Sequence, residues 1–185
     1  MKISDLVNVI DVEATCWEPA SSKPANAISE IIEIGIAVVD TKKACILENH
    51  SIMVRPQRSE LSQFCMNLTT LTKYDVNCGT TFQDAVRQLA KTFDSKNRVF
   101  ISWGDYDRKM FEKNCADYKC EYPFGPRHLN LRNCFTLFHG LNSEPDIIKA
   151  GDLVNVPFSG THHRGIDDAR NIANLFITML NRFNR

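Results

Sequence analysis

The sequence predicts an α/β domain with a mixed sheet, on three observations. Stretches of strand character recur at Val7–Ile10, Ile31–Val39, Cys45–Val54 and Arg98–Trp103. Two segments, Phe82–Phe93 and Ile172–Leu180, repeat apolar residues at three- and four-residue spacing, as helices with one buried face do. The first three strand stretches follow one another with only loop or turn chemistry between them, which predicts an antiparallel meander.

The first stretch runs Val7-Asn8-Val9-Ile10-Asp11-Val12-Glu13-Ala14-Thr15. Alternate strand residues face opposite sides, so Asp11 and Glu13 point one way and Val12 the other. Two neighbouring carboxylates on an apolar strand repel each other and are costly to bury. A shared divalent cation removes both penalties, and hard oxygen donors suit Mg²⁺ or Mn²⁺ better than zinc. The plainer alternative ends the strand here and leaves Glu13 solvated.

Residues 16 to 29, with Pro19, Ser21, Ser22, Lys23, Pro24, Ala25 and Asn26, have loop composition and form one rim of whatever the carboxylates build. Trp17 in this rim either stacks on a base or covers the core edge; the second reading is preferred. The nearly continuous apolar run from Ile31 to Asp40 reads as a central strand. Thr41-Lys42-Lys43 turns the chain into the third strand, closed by Arg55-Pro56.

Short helices are expected within residues 61 to 78, with Thr69, Thr70 and Thr72 as turn and cap residues. The Phe82–Phe93 helix is preceded by two candidate capping boxes, Thr80 with Gln83 and Thr81 with Asp84. After Arg98–Trp103 come Gly104-Asp105-Tyr106-Asp107 and a helix carrying Met110, Phe111 and Cys115. A strand, a glycine turn and a helix start bring side chains to the carboxyl edge of a sheet, where α/β sites lie. Asp107 is favoured there by the helix dipole, and Asp105 is equally eligible as a cap.

Residues 121 to 130 should be loop, Leu129-Asn130-Leu131 a short strand, and a helix follows through Cys134, Leu137 and Phe138. A short helix is expected near Ile147–Leu153. The last helix, with the apolar stripe Ile172, Ala173, Phe176, Met179 and Leu180, is entered through Thr161-His162-His163-Arg164-Gly165-Ile166-Asp167-Asp168. Either aspartate of that pair could cap it.

Composition sets limits. With 185 residues the chain is expected to be a single domain covering 1–185. No apolar run is long enough to span a membrane, and the first residues lack the core of a signal peptide, so a cytoplasmic protein with no membrane partner is the expectation. The 7 cysteines lack any Cys-x-x-Cys pair, which favours reduced thiols over structural zinc or a disulfide framework. A formal net charge of zero argues against broad, non-specific gripping of a duplex. It leaves room for a pocket that holds the last nucleotides of a strand.

Three motifs together resemble the DEDDh 3′→5′ exonucleases. They are Asp11-Val12-Glu13-Ala14-Thr15, Ser102-Trp103-Gly104-Asp105-Tyr106-Asp107, and His163-Arg164-Gly165-Ile166-Asp167-Asp168. Ser62-Gln63-Phe64-Cys65 with Leu68-Thr69, Leu129-Asn130-Leu131 and Asp167–Ala173 resemble the ERI-1-like, or histone-mRNA 3′-exonuclease-like, branch. The resemblance covers residues 7 to 182 and implies an RNase H-like fold, with a central mixed five-stranded sheet flanked by helices. It selects Asp11, Glu13, Asp107, His163 and Asp168 as catalytic, over the neighbouring Asp105, His162 and Asp167. The four carboxylates would hold two Mg²⁺ ions, with Mn²⁺ able to substitute, and His163 would serve as general base. His162 is expected to be a solvated neighbour.

The resemblance further implies that Ala14, Thr15, Cys16 and Trp17 cradle a terminal nucleotide. Tyr106 is expected to stack on its base, with a core ring as the alternative. Met66 is a pocket-wall candidate, with Leu68. Arg164 and Lys109 carry charge that could meet phosphate, but surface basic residues are common and neither is singled out. The expected substrate is the 3′ end of single-stranded RNA, cut to nucleoside 5′-monophosphates. DNA or short oligonucleotides are the alternative, and a catalytically silent nucleic-acid-binding adaptor is a third reading. With no room for an added RNA-binding module, the expectation is either a protein partner that confers specificity or modest specificity; the oligomeric state is not legible.

Overall fold

The computed structural model describes residues 5–18 and 22–183. Pro19 and Ser21 of the expected loop lie outside the described residues, as do Met1, Lys2, Ile3 and Ser4. The strands are β1 (Leu6–Ala14), β2 (Ile31–Asp40), β3 (Cys45–Met53), β4 (Val99–Ser102) and β5 (His128–Asn130). The helices are α1 (Gln63–Thr69), α2 (Lys73–Asn77), α3 (Phe82–Thr92), α4 (Tyr106–Asp117), α5 (Leu131–Phe138), α6 (Ile147–Val154) and α7 (Gly165–Phe183). No described helix is long and apolar enough to cross a membrane.

The strands form one mixed five-stranded sheet in the order β3-β2-β1-β4-β5. The first three make the antiparallel meander, while β4 pairs parallel to both β1 and β5. The carboxylate-bearing strand is therefore central, and β4 ends beside it.

Strand alternation divides the core. Ile10, Val12 and Ala14 of β1 face α3 and α4, packing with Phe82, Leu89 and Phe111. Val7 and Val9 face the other way, onto Leu131 and Phe135 of α5 and onto Ile172, Ala173 and Phe176 of α7. Period two then puts Asp11 and Glu13 on the α7 side. On β2 the same side carries Glu33, Gly35 and Ala37. Gly35 has to be glycine, because a Cβ there would lie 1.8 Å from the Gly165 carbonyl oxygen. That contact seats the first turn of α7 on the sheet.

Local chemistry sets the ends of the helices. Thr81, not Thr80, caps α3 by accepting from the Asp84 amide. Asp105 occupies the cap position of α4 without a side-chain bond to it. The last strand is one residue earlier than expected: it is His128–Asn130, and Leu131 opens α5, because the Asn130 side chain accepts from the Asn133 amide and starts the helix there.

Candidate active site

Asp11 and Glu13 project from the end of β1, Asp107 from the first turn of α4, and Asp168 from the first turn of α7. All four line one cavity of about 350 Å³, together with His163, Tyr106 and Leu68. Carboxylate oxygens of Asp11, Glu13 and Asp168 lie within 4.8 Å of one another. Glu13, Asp107 and Asp168 are buried, and Asp11 is partly open to the cavity. Asp107 is fixed across the sheet by the Val12 amide, which donates to its Oδ1 at 3.0 Å.

This crowding disfavours ionisation. Burial, then the carboxylates of Asp107, Asp168, Glu13 and Glu33, hold the Asp11 carboxyl well above its usual range. Burial, Asp168, Glu33 and Asp107 push Glu13 up to about 9. Burial pushes Asp107 up to about 7, against the bond from Val12. Among the described residues no cationic side chain pairs with Asp11, Glu13 or Asp107. A convergent set of hard oxygen donors with no protein cation to balance it fits divalent metal ions such as Mg²⁺ or Mn²⁺.

The histidines approach from the loop before α7. His163 has a left-handed φ of 64°, and its amide donates to Asp168 Oδ2 at 2.9 Å. Burial, then the neighbouring His162, lower the His163 imidazole from its usual value, against the opposing pull of Asp168. A neutral ring at neutral pH can accept a proton. His162 is partly solvated, with 35% of its side chain exposed, and it also reaches into the site. Its Nδ1 donates to Asp168 Oδ1 at 3.1 Å, and its ring stacks on His163 with centroids 3.9 Å apart.

The expected substrate contacts divide. Ala14, Cys16 and Tyr106 line the cavity, and Tyr106 is 56% exposed, so its ring is open rather than a core ring. Thr15, Trp17 and Met66 do not line it. The Thr15 side chain is buried and braces the rim, donating to the Ile28 carbonyl and accepting from the Glu30 amide. Trp17 carries the Lys23 ammonium 5.5 Å from its ring centre. Met66 packs against the cluster of Ile32, Leu61, Leu71 and Val76, while Leu68 reaches the cavity. Arg164 is occupied by Glu33, its Nε donating to Oε2 at 3.0 Å.

Sequence reading missed Arg132, Asp146, Ile147 and Trp103 on the cavity wall. Arg132 sits against Gly104, whose φ of 114° favours glycine, and pairs with Glu144 at 2.8 Å. Gly104 was legible as a turn signal, but nothing local linked it to Arg132.

Residues 8–176 match the family described as Exonuclease. The probable 3′-5′ exonuclease KapD of Bacillus subtilis is 31% identical over 170 residues, covering 91% of this chain and 81% of that protein. The 3′-5′ exoribonuclease 1 of Rattus norvegicus is 28% identical over 186 residues, covering 95% of this chain and 53% of that protein, so the chain spans about half the length of that relative. The crystal structure of a full-length 3′-exonuclease superposes with a TM-score of 0.87 at 26% identity, covering 98% of this chain and 84% of that one. The nuclease domain of 3′hExo, a DEDDh family member bound to rAMP, gives 0.85 at 26% identity, covering 96% of this chain and 92% of that one. With the fold, the carboxylate cluster and the matched span in agreement, the chain belongs to the exonuclease family, within the DEDDh, RNase H-like superfamily.

Proposed function

We propose that the chain is a metal-dependent 3′→5′ exoribonuclease of the ERI-1-like, histone-mRNA 3′-exonuclease-like branch, shortening single-stranded RNA from its 3′ end and releasing nucleoside 5′-monophosphates. The observation that carries this reading is the convergence of Asp11, Glu13, Asp107, His163 and Asp168 on one cavity with the open Tyr106 ring on its wall. About 350 Å³ suits a single terminal nucleotide rather than a duplex. The exoribonuclease name of the rat relative and the ribonucleotide in the similar 3′hExo structure support RNA as the substrate.

Asp11, Glu13 and Asp168 would hold one divalent ion and Asp107, with Asp11, a second. Bound there, such a pair supplies charge neutralisation at the scissile phosphate and makes an attacking water more acidic. Neutral His163 takes the proton from that water as it attacks phosphorus. His162, holding Asp168 Oδ1, and the His163 amide, holding Oδ2, fix that carboxylate so that the His163 ring stays beside it. The flat Tyr106 ring stacks on the terminal base without regard to its identity, which suits stepwise removal. Ala14 and Cys16 form the wall that the terminal sugar meets.

The test compares RNA and DNA of equal sequence, each with a free or blocked 3′ end, in Mg²⁺ and in Mn²⁺. Stepwise shortening of free-ended RNA, stopped by the block and by chelator, is the expected result. Internal cleavage of blocked strands would sink the exonuclease reading, and equal rates on DNA would sink the RNA assignment.

A further inference from the structure

Cys16 and Cys65 form a thiol pair at the edge of the cavity. Cys16 lines the cavity, and Cys65 on α1 is buried beside it. The Ser62 hydroxyl ties the two backbones together, donating to the Cys16 carbonyl at 2.6 Å and accepting from the Cys65 amide at 2.9 Å. The Cys16 side chain packs against the cluster that holds Cys65, and the Cys65 thiol donates to the Ala14 carbonyl at 3.6 Å.

We propose that Cys16 and Cys65 are an oxidative modification site, closing to a disulfide when a peroxide enters the active-site cavity and so closing the terminal-nucleotide pocket. The pocket-closing half rests on the exonuclease reading above; the disulfide half does not. The contact with Cys16 lowers the Cys65 thiol to about 7, while the same contact and burial hold the Cys16 thiol well above its usual range, so Cys65 is the thiolate of the pair and the base for Cys16. Cys16 presents the sulfur that an incoming peroxide meets.

The chemistry balances in two steps. The Cys16 sulfur passes its proton to the neighbouring Cys65 thiolate and displaces hydroxide from hydrogen peroxide: an S–O bond forms, the O–O bond breaks, and the hydroxide takes that proton back from Cys65 as water, leaving Cys65 a thiolate again. The Cys65 thiolate then attacks the Cys16 sulfenic sulfur: the S–S bond forms, the S–O bond breaks, and hydroxide departs to take up the proton Cys65 gave up. Two thiols and one peroxide become one disulfide and two waters. A dithiol reductant reverses it by exchange.

The consequence follows from position. Cys16 lies just beyond Glu13, on the segment that forms the cavity wall. Drawing its sulfur onto Cys65 pulls that wall toward α1 and shifts the sugar contact, and a displacement of about 1 Å at such a contact costs on the order of 10²-fold in rate. A second neighbouring pair, Cys115 in α4 with Cys120 beyond its end, does not line this cavity and serves as an internal comparison.

The experiment treats the whole chain with hydrogen peroxide, blocks free thiols, and maps disulfide-linked peptides by mass alongside 3′-end trimming of single-stranded RNA. The expected result is a Cys16–Cys65 peptide and trimming reduced about tenfold or more, both reversed by dithiothreitol. Cys65→Ser should keep basal trimming and lose the peroxide sensitivity; Cys65→Ala repeats the check if a hydroxyl perturbs the buried position. Absence of the Cys16–Cys65 peptide, including its replacement by a Cys115–Cys120 peptide, overturns the site. An unchanged rate with the linked peptide present overturns the pocket closure, as does equal peroxide sensitivity of Cys65→Ser. The linked peptide is read without activity, so a chain that trims no substrate would fail the exonuclease reading alone.

Discussion

Glu33 on β2 accepts from the Gly165 amide at 3.1 Å, and this bond ties the first turn of α7 to the sheet. Arg164 Nε donates to the same carboxylate oxygen at 3.0 Å, and the Ser51 hydroxyl donates to the other at 2.7 Å. The Glu33 side chain is wholly buried, so these three donors are what make its charge tolerable. The same first turn carries Asp168, and the loop before it carries His163.

Glu33→Ala should therefore damage both stability and activity. Removing one member of a buried pair strands the other, at about 3 kcal/mol or more. Urea unfolding should show that loss. Glu33→Gln, which keeps an acceptor for Gly165, should lose less. Equal stability of Glu33→Ala and the parent chain would refute the anchoring role.

Asp11→Asn should separate stability from turnover. It removes a carboxylate that repels its neighbours, so the chelator-treated variant should melt above the chelator-treated parent. It also removes a metal-holding oxygen, so 3′-end shortening should fall at least about a hundredfold. Calorimetry in chelator and a trimming assay in Mg²⁺ read the two effects. A variant that melts lower without metal would contradict the repulsion argument.

The pH dependence of stability follows from the same cluster. Glu13 at about 9 and Asp107 at about 7 lie above the values these groups have in an unfolded chain, about 4. The folded metal-free protein thus holds protons that the unfolded chain gives up. Its stability is greatest at low pH with respect to these groups and is lost as pH rises through their folded values. The metal-free melting temperature should fall between pH 5 and pH 9, by about 5 °C or more, and saturating Mg²⁺ should flatten the slope. A metal-free melting temperature that climbs across that range would rule out the raised carboxyls.

His163→Ala should lower kcat by roughly 10²–10⁴-fold with a much smaller change in KM, since proton transfer is lost and the base-stacking surface is intact. Steady-state kinetics on a short single-stranded RNA checks this. Matching losses in kcat and KM would make His163 a binding residue instead.

Much of this architecture is written in local pattern. The alternation Val7, Val9, Asp11, Glu13 sets those four side chains on one face, and the sheet keeps them there against α7. Threonine and asparagine caps fix where α3 and α5 begin, although the choice of Thr81 over Thr80 and the one-residue shift of β5 depended on backbone geometry. The cradle residues were less legible. Thr15 and Cys16 are adjacent, yet Thr15 turns inward to Ile28 and Glu30 while Cys16 faces the cavity. A loop has no period from which to read that difference.

The sequence by itself determined the order of the three motifs, the shared face of Asp11 and Glu13, and the elements that carry Asp107 and Asp168. Side-chain period and cap chemistry act over a few residues, so they can be read locally. Tertiary structure alone decided that Asp107 receives the Val12 amide across the sheet, that His162 and His163 both hold Asp168, and that Arg132 and Asp146 complete the wall. Those contacts depend on how closely α7 and α4 approach β1. That distance is set by Gly35 against Gly165 and by the buried Glu33, whose partners come from β3 and from the entry to α7.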